Sequence, residues 1–498
     1  MSARNPRASG IAAKAGVIVF SKAFGNLSRI LAIVVLARLL AKADFGALSF
    51  VLLTYIAISG LAQIGLPESV YFFLEKVSRN SRGRFVLLVA RLLFFLGAGT
   101  SVVLIGIAIV ADRRGHDVLH LFVPLTLLPL LELPTFPLTH VLIATDRARE
   151  AAWLNIVFSS ALVAALAAPV LLGQPLVTVS WGLVAYGAFR LAVCTVVFLR
   201  HFGRAMEALP AGTMKRVFSY SLPLGFAQLV WKLNEVVDKY VVMYFLPMAV
   251  FAEYSVGSWE IPLVPMVANA VAAVMMPQFV SAYLEGRRKD LFSAWTEAIE
   301  KVSIIVLPLV VLFLVVARDL IVLLFTEKYL NAVLPFQIYT LILLQRVTAY
   351  DAVLKAIDRT RVITLWALFT IAVNLVLCVP LVLWIGMAGA ALSTLIANAV
   401  TWVYVLIKIG HGLGVKVKEV FPFRFYGRVL AAALLAAAAP VLLGAVTDLS
   451  AAAALMWKTA AYAGAFAFVS TRMGVCGRQE WDFLRGAFRL KRRRHGDE

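Results

Sequence analysis

The sequence predicts an all-α polytopic membrane protein of about fourteen transmembrane helices, with both chain ends on the inner side. Three observations carry this expectation. The composition is 62% hydrophobic and only 15% charged, whereas soluble domains average about 45–50% and about 25%. The apolar residues come in runs of about 20 or more, without the alternation of a barrel strand. Lys and Arg recur in clusters at every second connection between runs. A water-soluble monomer cannot hide this much apolar surface. Lipid removes that problem, provided that backbone polar groups are satisfied internally.

Taken in order, the first run (16–40) follows a basic start and superficially resembles a secretory signal, with Ala41-Lys42-Ala43 at cleavage-site spacing. It is longer than the apolar core of a signal and carries Lys22 and Arg29, so it is expected to persist as the first span. Further spans are expected near 45–66, 85–110, 118–142, 151–172, 177–199, 218–246, 249–280, 301–317, 331–354, 362–384, 387–408, 426–446 and 451–471. The connections then sort by charge. One side collects Lys76, Arg79, Arg82 and Arg84, then Arg200, Lys215 and Arg216, then Arg287, Arg288 and Lys289, then Lys416, Lys418 and Arg424, and the basic tail. The opposite side collects few, among them Arg113, Arg114 and Lys328. The positive-inside rule therefore places both ends inside. In the tail, Trp481, Leu484 and Phe488 have helical spacing beside Arg485, Arg489 and Arg492, which fits either an interfacial helix on anionic lipid or a disordered basic tail.

Several function classes are disfavoured. The net charge of +20 is spread over the connections and forms no aromatic-interleaved basic patch, so no nucleic-acid partner is expected. Cys194, Cys378 and Cys476 are far apart, without the spacing of a disulfide framework or thiolate metal site. His116 and His120 lack a third ligand. The chain contains no GxxxxGK[ST] or GxSxG motif and no catalytic constellation. No cofactor, metal or catalytic residue is expected, and the chain is not expected to be an enzyme.

Ionisable groups inside spans are costly, so each is a functional candidate. In the first span Lys22 and Arg29 are seven residues apart and share a helix face with Asn26, while Ser28 adds a further polar group. That helix has no acidic partner for either cation, which favours a water-filled cavity facing an anionic ligand. In the seventh span Lys232, Glu235, Asp238 and Lys239 fall on one stripe. The two cations would add to the binding site and the carboxylates would couple ions; alternatively the stripe is a self-neutralising ladder that sets packing. Glu253 and Glu260 are further ion-coupling candidates. Arg91, Glu132, Arg190, Arg346 and Asp351 are isolated charges, with Arg91 and Arg190 placed for snorkelling or packing. Pro124, Pro129, Pro134 and Pro137 crowd the fourth span, where kinks are expected.

A shift of about 206 residues aligns the first and seventh spans and their following turns, pairing Asn26 with Lys232 and Arg29 with Glu235, as a parallel internal repeat would. Three segments then resemble one family. Arg38-Leu39-Leu40-Ala41-Lys42-Ala43-Asp44-Phe45-Gly46 is similar to its "RLLGPEDFG" turn. Asp319-Leu320-Ile321-Val322-Leu323-Leu324-Phe325-Thr326-Glu327-Lys328-Tyr329 is similar to "LIxLLFGExY", with Thr326 in place of Gly. Asn374-Leu375, Pro380 and Ile385-Gly386-Met387-Ala388-Gly389-Ala390-Ala391 resemble "NLxLNxxLIPxxGxxGAAxAT". These place the chain beside the polysaccharide transporters of the multidrug/oligosaccharidyl-lipid/polysaccharide exporter superfamily.

That resemblance implies two six-helix lobes (1–210 and 211–410) around a central cavity, two additional spans within 411–471 and a basic tail at 472–498. It implies a flippase in a prokaryotic plasma (inner) membrane, moving a polyprenyl-diphosphate-linked oligosaccharide outward for cell-surface polysaccharide synthesis. Membrane lipids and polysaccharide polymerase or export machinery are the implied partners. Cations of the first span and cavity bind the diphosphate in related flippases; Lys22 and Arg29 match by span and depth. The alternatives are a cation-coupled drug or metabolite exporter of the same superfamily, a membrane glycosyltransferase, and an envelope-assembly scaffold.

Overall fold

The computed structural model describes residues 6–203, 207–259, 261, 263–446 and 450–475. Among them the chain is helical and no strand occurs. It divides into two compact units, Met1–Ala252 and Glu253–Glu498. Glu260 and the tail segment 478–494 lie outside the described residues.

The first unit contains α1 (Pro6–Leu39), α2 (Lys42–Ala62), α3 (Leu66–Phe73), α4 (Arg82–Arg113), α5 (Leu119–Leu125), α6 (Leu128–Glu132), α7 (Phe136–Ala144), α8 (Ala148–Leu171), α9 (Val177–Phe202) and α10 (Thr213–Phe245). α11 (Met248–Gly257) leads into the second unit. α1 packs on α8, and α10 packs on α2 and α3. Two sequence spans are broken. Between α2 and α3, Ile64 and Gly65 both have positive φ, and Gly225 of α10 fits against this break, where a Cβ would lie 2.5 Å from the Ile64 carbonyl carbon. The fourth span is divided into α5, α6, the 3-10 turn Leu133–Thr135 and α7. Proline stands in the first turn of each of the last three, where its missing N–H costs nothing.

The second unit contains α12 (Leu263–Leu284), α13 (Arg288–Val315), α14 (Ala317–Phe325), α15 (Val333–Ile342), α16 (Tyr350–Ala356), α17 (Thr360–Ile385), α18 (Met387–Leu413), α19 (Val417–Val420), α20 (Phe423–Ala436), α21 (Ala438–Val446) and α22 (Ala451–Arg472). α17 and α18 form its tightest pair. Gly386 turns the chain with φ +65, and Gly389 packs against the Leu381 carbonyl so closely that a Cβ would sit at 2.1 Å. Ser393 donates to Asn374 Oδ1 at 2.9 Å, and Thr370 donates to Thr401 at 3.0 Å, so the polar groups of this glycine-bearing hairpin are satisfied inside it. Lys458 of α22 pairs with Asp319 of α14 at 2.7 Å, which ties the last helix to the unit.

Thirteen helices among the described residues are long and apolar enough to cross a membrane, and the chain is a multi-pass membrane protein. α10 is absent from that set despite its 33 residues, because its polar and charged residues lower its hydropathy. With α10 added, each of the fourteen expected spans has a helical counterpart.

Helix ends sharpen the repeat. α1 ends at Leu39 and α10 at Phe245; α2 begins at Lys42 and α11 at Met248, both at the expected shift. A second copy lies further on. Thr145-Asp146-Arg147-Ala148-Arg149 opens α8, and Ile357-Asp358-Arg359-Thr360-Arg361 opens α17. Asp146 and Asp358 both have positive φ. In one turn the Arg147 N–H bonds the Leu142 carbonyl at 2.7 Å, and in the other the Arg359 N–H bonds the Leu354 carbonyl at 2.8 Å.

Candidate functional site

α1 presents three faces. Ser21, Gly25, Ala32 and Leu36 are buried. On this side a Cβ on Gly25 would lie 2.8 Å from Ser159 Oγ, and Asn155 of α8 donates to the Ser21 carbonyl at 2.9 Å. Phe20, Leu27 and Leu31 are exposed at 65%, 58% and 55%, forming an apolar face suited to lipid. Lys22, Asn26 and Arg29 are also exposed and fall within an arc of about 60°, roughly 150° from that apolar face at 100° per residue. On the cations' own side Val19 and Ile33 are exposed as well, at 59% and 41%, so the polar stripe is interleaved with apolar side chains. Among the described residues of this unit, neither Lys22 nor Arg29 has an ion-pair partner. Ser28 is half-buried and lies off this stripe, on the flank beside the α8 contact.

On α10, Lys232 pairs with Glu235 at 2.8 Å. Lys239 donates to the Glu235 carbonyl at 2.8 Å and stands 3.9 Å from Asp238. Asp238 is buried, whereas Glu235 is exposed at 64%. Part of the expected ladder thus exists, but its central carboxylate remains open. Glu253 is elsewhere: it lies buried in the second unit, where the Asn331 amide donates to both of its oxygens at 3.2 Å.

Two features escape a reading of single helices. Glu132 and Arg190, isolated charges in the sequence, form an ion pair inside the first unit. The Tyr55 hydroxyl donates to the second Glu132 oxygen, and Arg190 also donates to Tyr186 at 3.1 Å. Arg190 stacks over Phe136 and Phe158, with its guanidinium carbon 4.7 and 5.2 Å from the ring centres. The charges inside apolar runs signalled the members; partners 58 residues apart are brought together only by packing. The second feature is Glu68, just beyond the α2–α3 break, which accepts from Gln228 of α10 at 3.2 Å while its other oxygen is buried without a partner. The glycine break and adjoining Pro67 were its sequence signal.

Outside the spans, burial and the neighbouring Arg114 charge push the His116 imidazole below its ordinary value. His120 pairs with Asp117 at 3.6 Å. Among the described residues no group of three His, Cys, Asp or Glu could hold a metal ion.

Comparisons with known proteins give the fold its relatives. A lipid II flippase, MurJ, in an inward closed conformation matches with a TM-score of 0.67 at 14% identity, over 95% of this chain and 99% of its own. An inward-facing multidrug resistance MATE family transporter of the MOP superfamily matches at 0.64 and 14% identity, over 79% and 96%. A MOP superfamily transporter from Pyrococcus furiosus matches at 0.54 and 14%, over 81% and 95%. No curated protein matches the sequence. Residues 11–283 match the family described as polysaccharide biosynthesis protein. The chain, folded like MurJ and the MATE transporters, is a member of that polysaccharide biosynthesis protein family.

Proposed function

We propose that this protein is a flippase that moves a polyprenyl-diphosphate-linked oligosaccharide from the inner to the outer face of a prokaryotic plasma membrane by alternating access. The observation that carries the reading is the exposed polar stripe of α1, whose cations Lys22 and Arg29 have no ion-pair partner among the described residues of their unit. An unpaired cation at membrane depth requires compensation by water or a ligand. A diphosphate supplies it through charge-assisted hydrogen bonds, bidentate for Arg29 and as a point charge for Lys22. Lys232 and Lys239 add positive charge, and Asn26 and Ser28 add polar groups. The polyprenyl tail stays in lipid.

In this reading residues 1–210 and 211–410 act as the two moving lobes, and 411–471 supply accessory spans. Glu235 and Asp238 are candidates to couple ions; Glu253, held by Asn331, and Glu260 are further ones. The protein works as a transporter rather than an enzyme, beside polymerase or export machinery. One elementary charge crossing about 100 mV is worth about 2.3 kcal/mol, enough to bias the cycle.

The test is reconstitution into proteoliposomes with a fluorescent polyprenyl-diphosphate disaccharide and an impermeant quencher. Protein-dependent quenching of the inner-leaflet pool is expected. If that pool stays protected while cationic drugs cross, the protein is an exporter instead.

A further inference from the structure

We propose that the cleft between the ends of α4 and α10 binds one anionic glycerophospholipid, with its phosphate on Arg114 and an acyl chain along Gly106, Ile107 and Val110. No residue of the two polar stripes lines this cleft, and the inference does not depend on the flippase reading.

The cleft sits where two helices leave the membrane. α4 has 32 residues, about 48 Å at about 1.5 Å each, against about 30 Å of hydrocarbon, so its ends reach the boundaries. It stops at Arg113, and α10 stops at Phe245. The two ends are joined. Arg114 donates to the Tyr244 hydroxyl and lies over that ring, with its guanidinium carbon 4.3 Å from the centre. Tyrosine at the end of an apolar helix is characteristic of the membrane–water interface.

The shape suits a hydrocarbon chain. The cleft holds about 490 Å³ of empty space, counting its open side. Below the rim its lining is apolar, with Ile107 and Val110 contributed by α4 and Met243 by α10. Gly106 lies farthest from the rim, and a Cβ there would meet no atom within 4 Å. Gly106 and Arg114 are eight residues apart, about 12 Å along the helix, so the cleft runs from the hydrocarbon to the boundary. Water needs several polar partners to occupy such a space, and this lining offers none. A lipid chain needs no polar partner.

Charge selects the head group. Arg114 lines the rim, and among the described residues it has no ion-pair partner. The nearby carboxylates are engaged elsewhere: Asp112 accepts from the Leu119 N–H at 3.5 Å, and Asp117 pairs with His120 at 3.6 Å. His116 adds no second charge, because burial and the Arg114 cation hold its imidazole below the ordinary value; it is a neutral wall of the rim. The guanidinium therefore keeps donors for one phosphate, gripped by charge-assisted, bidentate hydrogen bonds. No carboxylate lines the cleft to receive an ammonium group. An anionic head group is thus favoured over a zwitterionic one.

The test uses the full-length protein, purified in detergent, washed free of lipid and titrated with phosphatidylglycerol. Native mass spectrometry counts the lipids bound, and phosphatidylcholine with the same chains is the parallel arm. The wild type is expected to take its first phosphatidylglycerol in preference to phosphatidylcholine. Arg114→Gln should weaken that first lipid by about tenfold or more and remove the preference. Gly106→Leu, which fills the cleft, should weaken both lipids. Arg113→Gln, outside the lining, should leave both unchanged. Equal phosphatidylglycerol binding by the wild type, Arg114→Gln and Gly106→Leu overturns the site. An equal loss in Arg113→Gln and Arg114→Gln overturns it too, since it reports only diffuse attraction. If the two cleft variants lose farnesyl diphosphate and keep phosphatidylglycerol, the assigned occupant is wrong. Arg114 is exposed and Gly106 faces open space, so both variants should accumulate. Should one fail, the other decides; should both fail, a wild type without preference for phosphatidylglycerol contradicts the proposal.

Discussion

Gly46 of α2 approaches the carbonyl oxygen of Met248 at the start of α11 so closely that a Cβ on Gly46 would lie 2.2 Å from it, and 3.4 Å from the Ala252 Cβ. Gly46 and Ala252 are also partners under the internal repeat, so the two copies of the turn meet at equivalent positions. Backbone leaves no flexible side chain to yield. Gly46→Ala is therefore expected to cost more than about 3 kcal/mol and to prevent accumulation. Gly99→Ala, with no atom within 4 Å of its Cβ, should accumulate normally. Quantitative blotting of membrane fractions checks both, and equal levels would contradict the close approach.

The Lys232–Glu235 pair is exposed on the Glu235 side, so its loss should change stability by less than about 1 kcal/mol. Glu235→Gln is expected to reach normal levels and melt within a few degrees of the wild type, while its transport rate changes its response to pH or sodium. A normal level with an unchanged ion response removes Glu235 from coupling. A large fall in level would instead make the stripe a packing ladder.

Thr326 has φ +74 and ψ +169, a conformation adopted almost only by glycine. The related motif places Gly there. Thr326→Gly should relieve the strain and stabilise the protein by a net of about 1 to 2 kcal/mol, after the greater flexibility of the unfolded chain is offset. A thermal-shift assay in detergent reads the change, with Thr326→Ala as a comparison that keeps most of the strain. A lower melting point for the Gly variant would contradict this assignment.

The charge asymmetry of the connections makes a topological prediction. Single cysteines placed beside Arg82, Arg288 and Lys416 should resist an impermeant thiol reagent in intact cells, and one beside Gly115 should react. Labelling at any of the first three breaks the orientation with both ends inside.

Much of the architecture was legible because the membrane imposes one rule, that apolar runs of sufficient length become helices. Even α10, whose polar and charged residues lower its hydropathy, was visible as a run of sufficient length near 218–246, and the charge alternation agreed with it. The breaks were less legible. Pro129, Pro134 and Pro137 announced kinks, but Ile64 with positive φ carries no local signal, since a β-branched residue avoids that region. It is tolerated where Gly225 makes room. The Asp146 and Asp358 turns were present in the sequence as a second repeat, shifted from the first because the halves differ in length between the two copies. The stripe of Lys22, Asn26 and Arg29 follows from helical periodicity alone, and so does its separation from Leu27 and Leu31. The Glu132–Arg190 pair does not, because it depends on how α6 and α9 pack.

In the proposed cycle an exposed cation on α1, Arg29, grips the diphosphate. The most direct measurement of this grip is lipid-linked glycan flipping by Arg29→Ala, scored as quencher access in proteoliposomes with protein abundance measured alongside. The exposed position of Arg29, without an ion-pair partner among the described residues of its unit, predicts that the variant inserts and accumulates at wild-type level yet loses flipping. Arg29→Lys should recover part of the rate, because the charge is kept and the planar fork is lost. Flipping at the wild-type rate by Arg29→Ala at normal abundance would contradict the account.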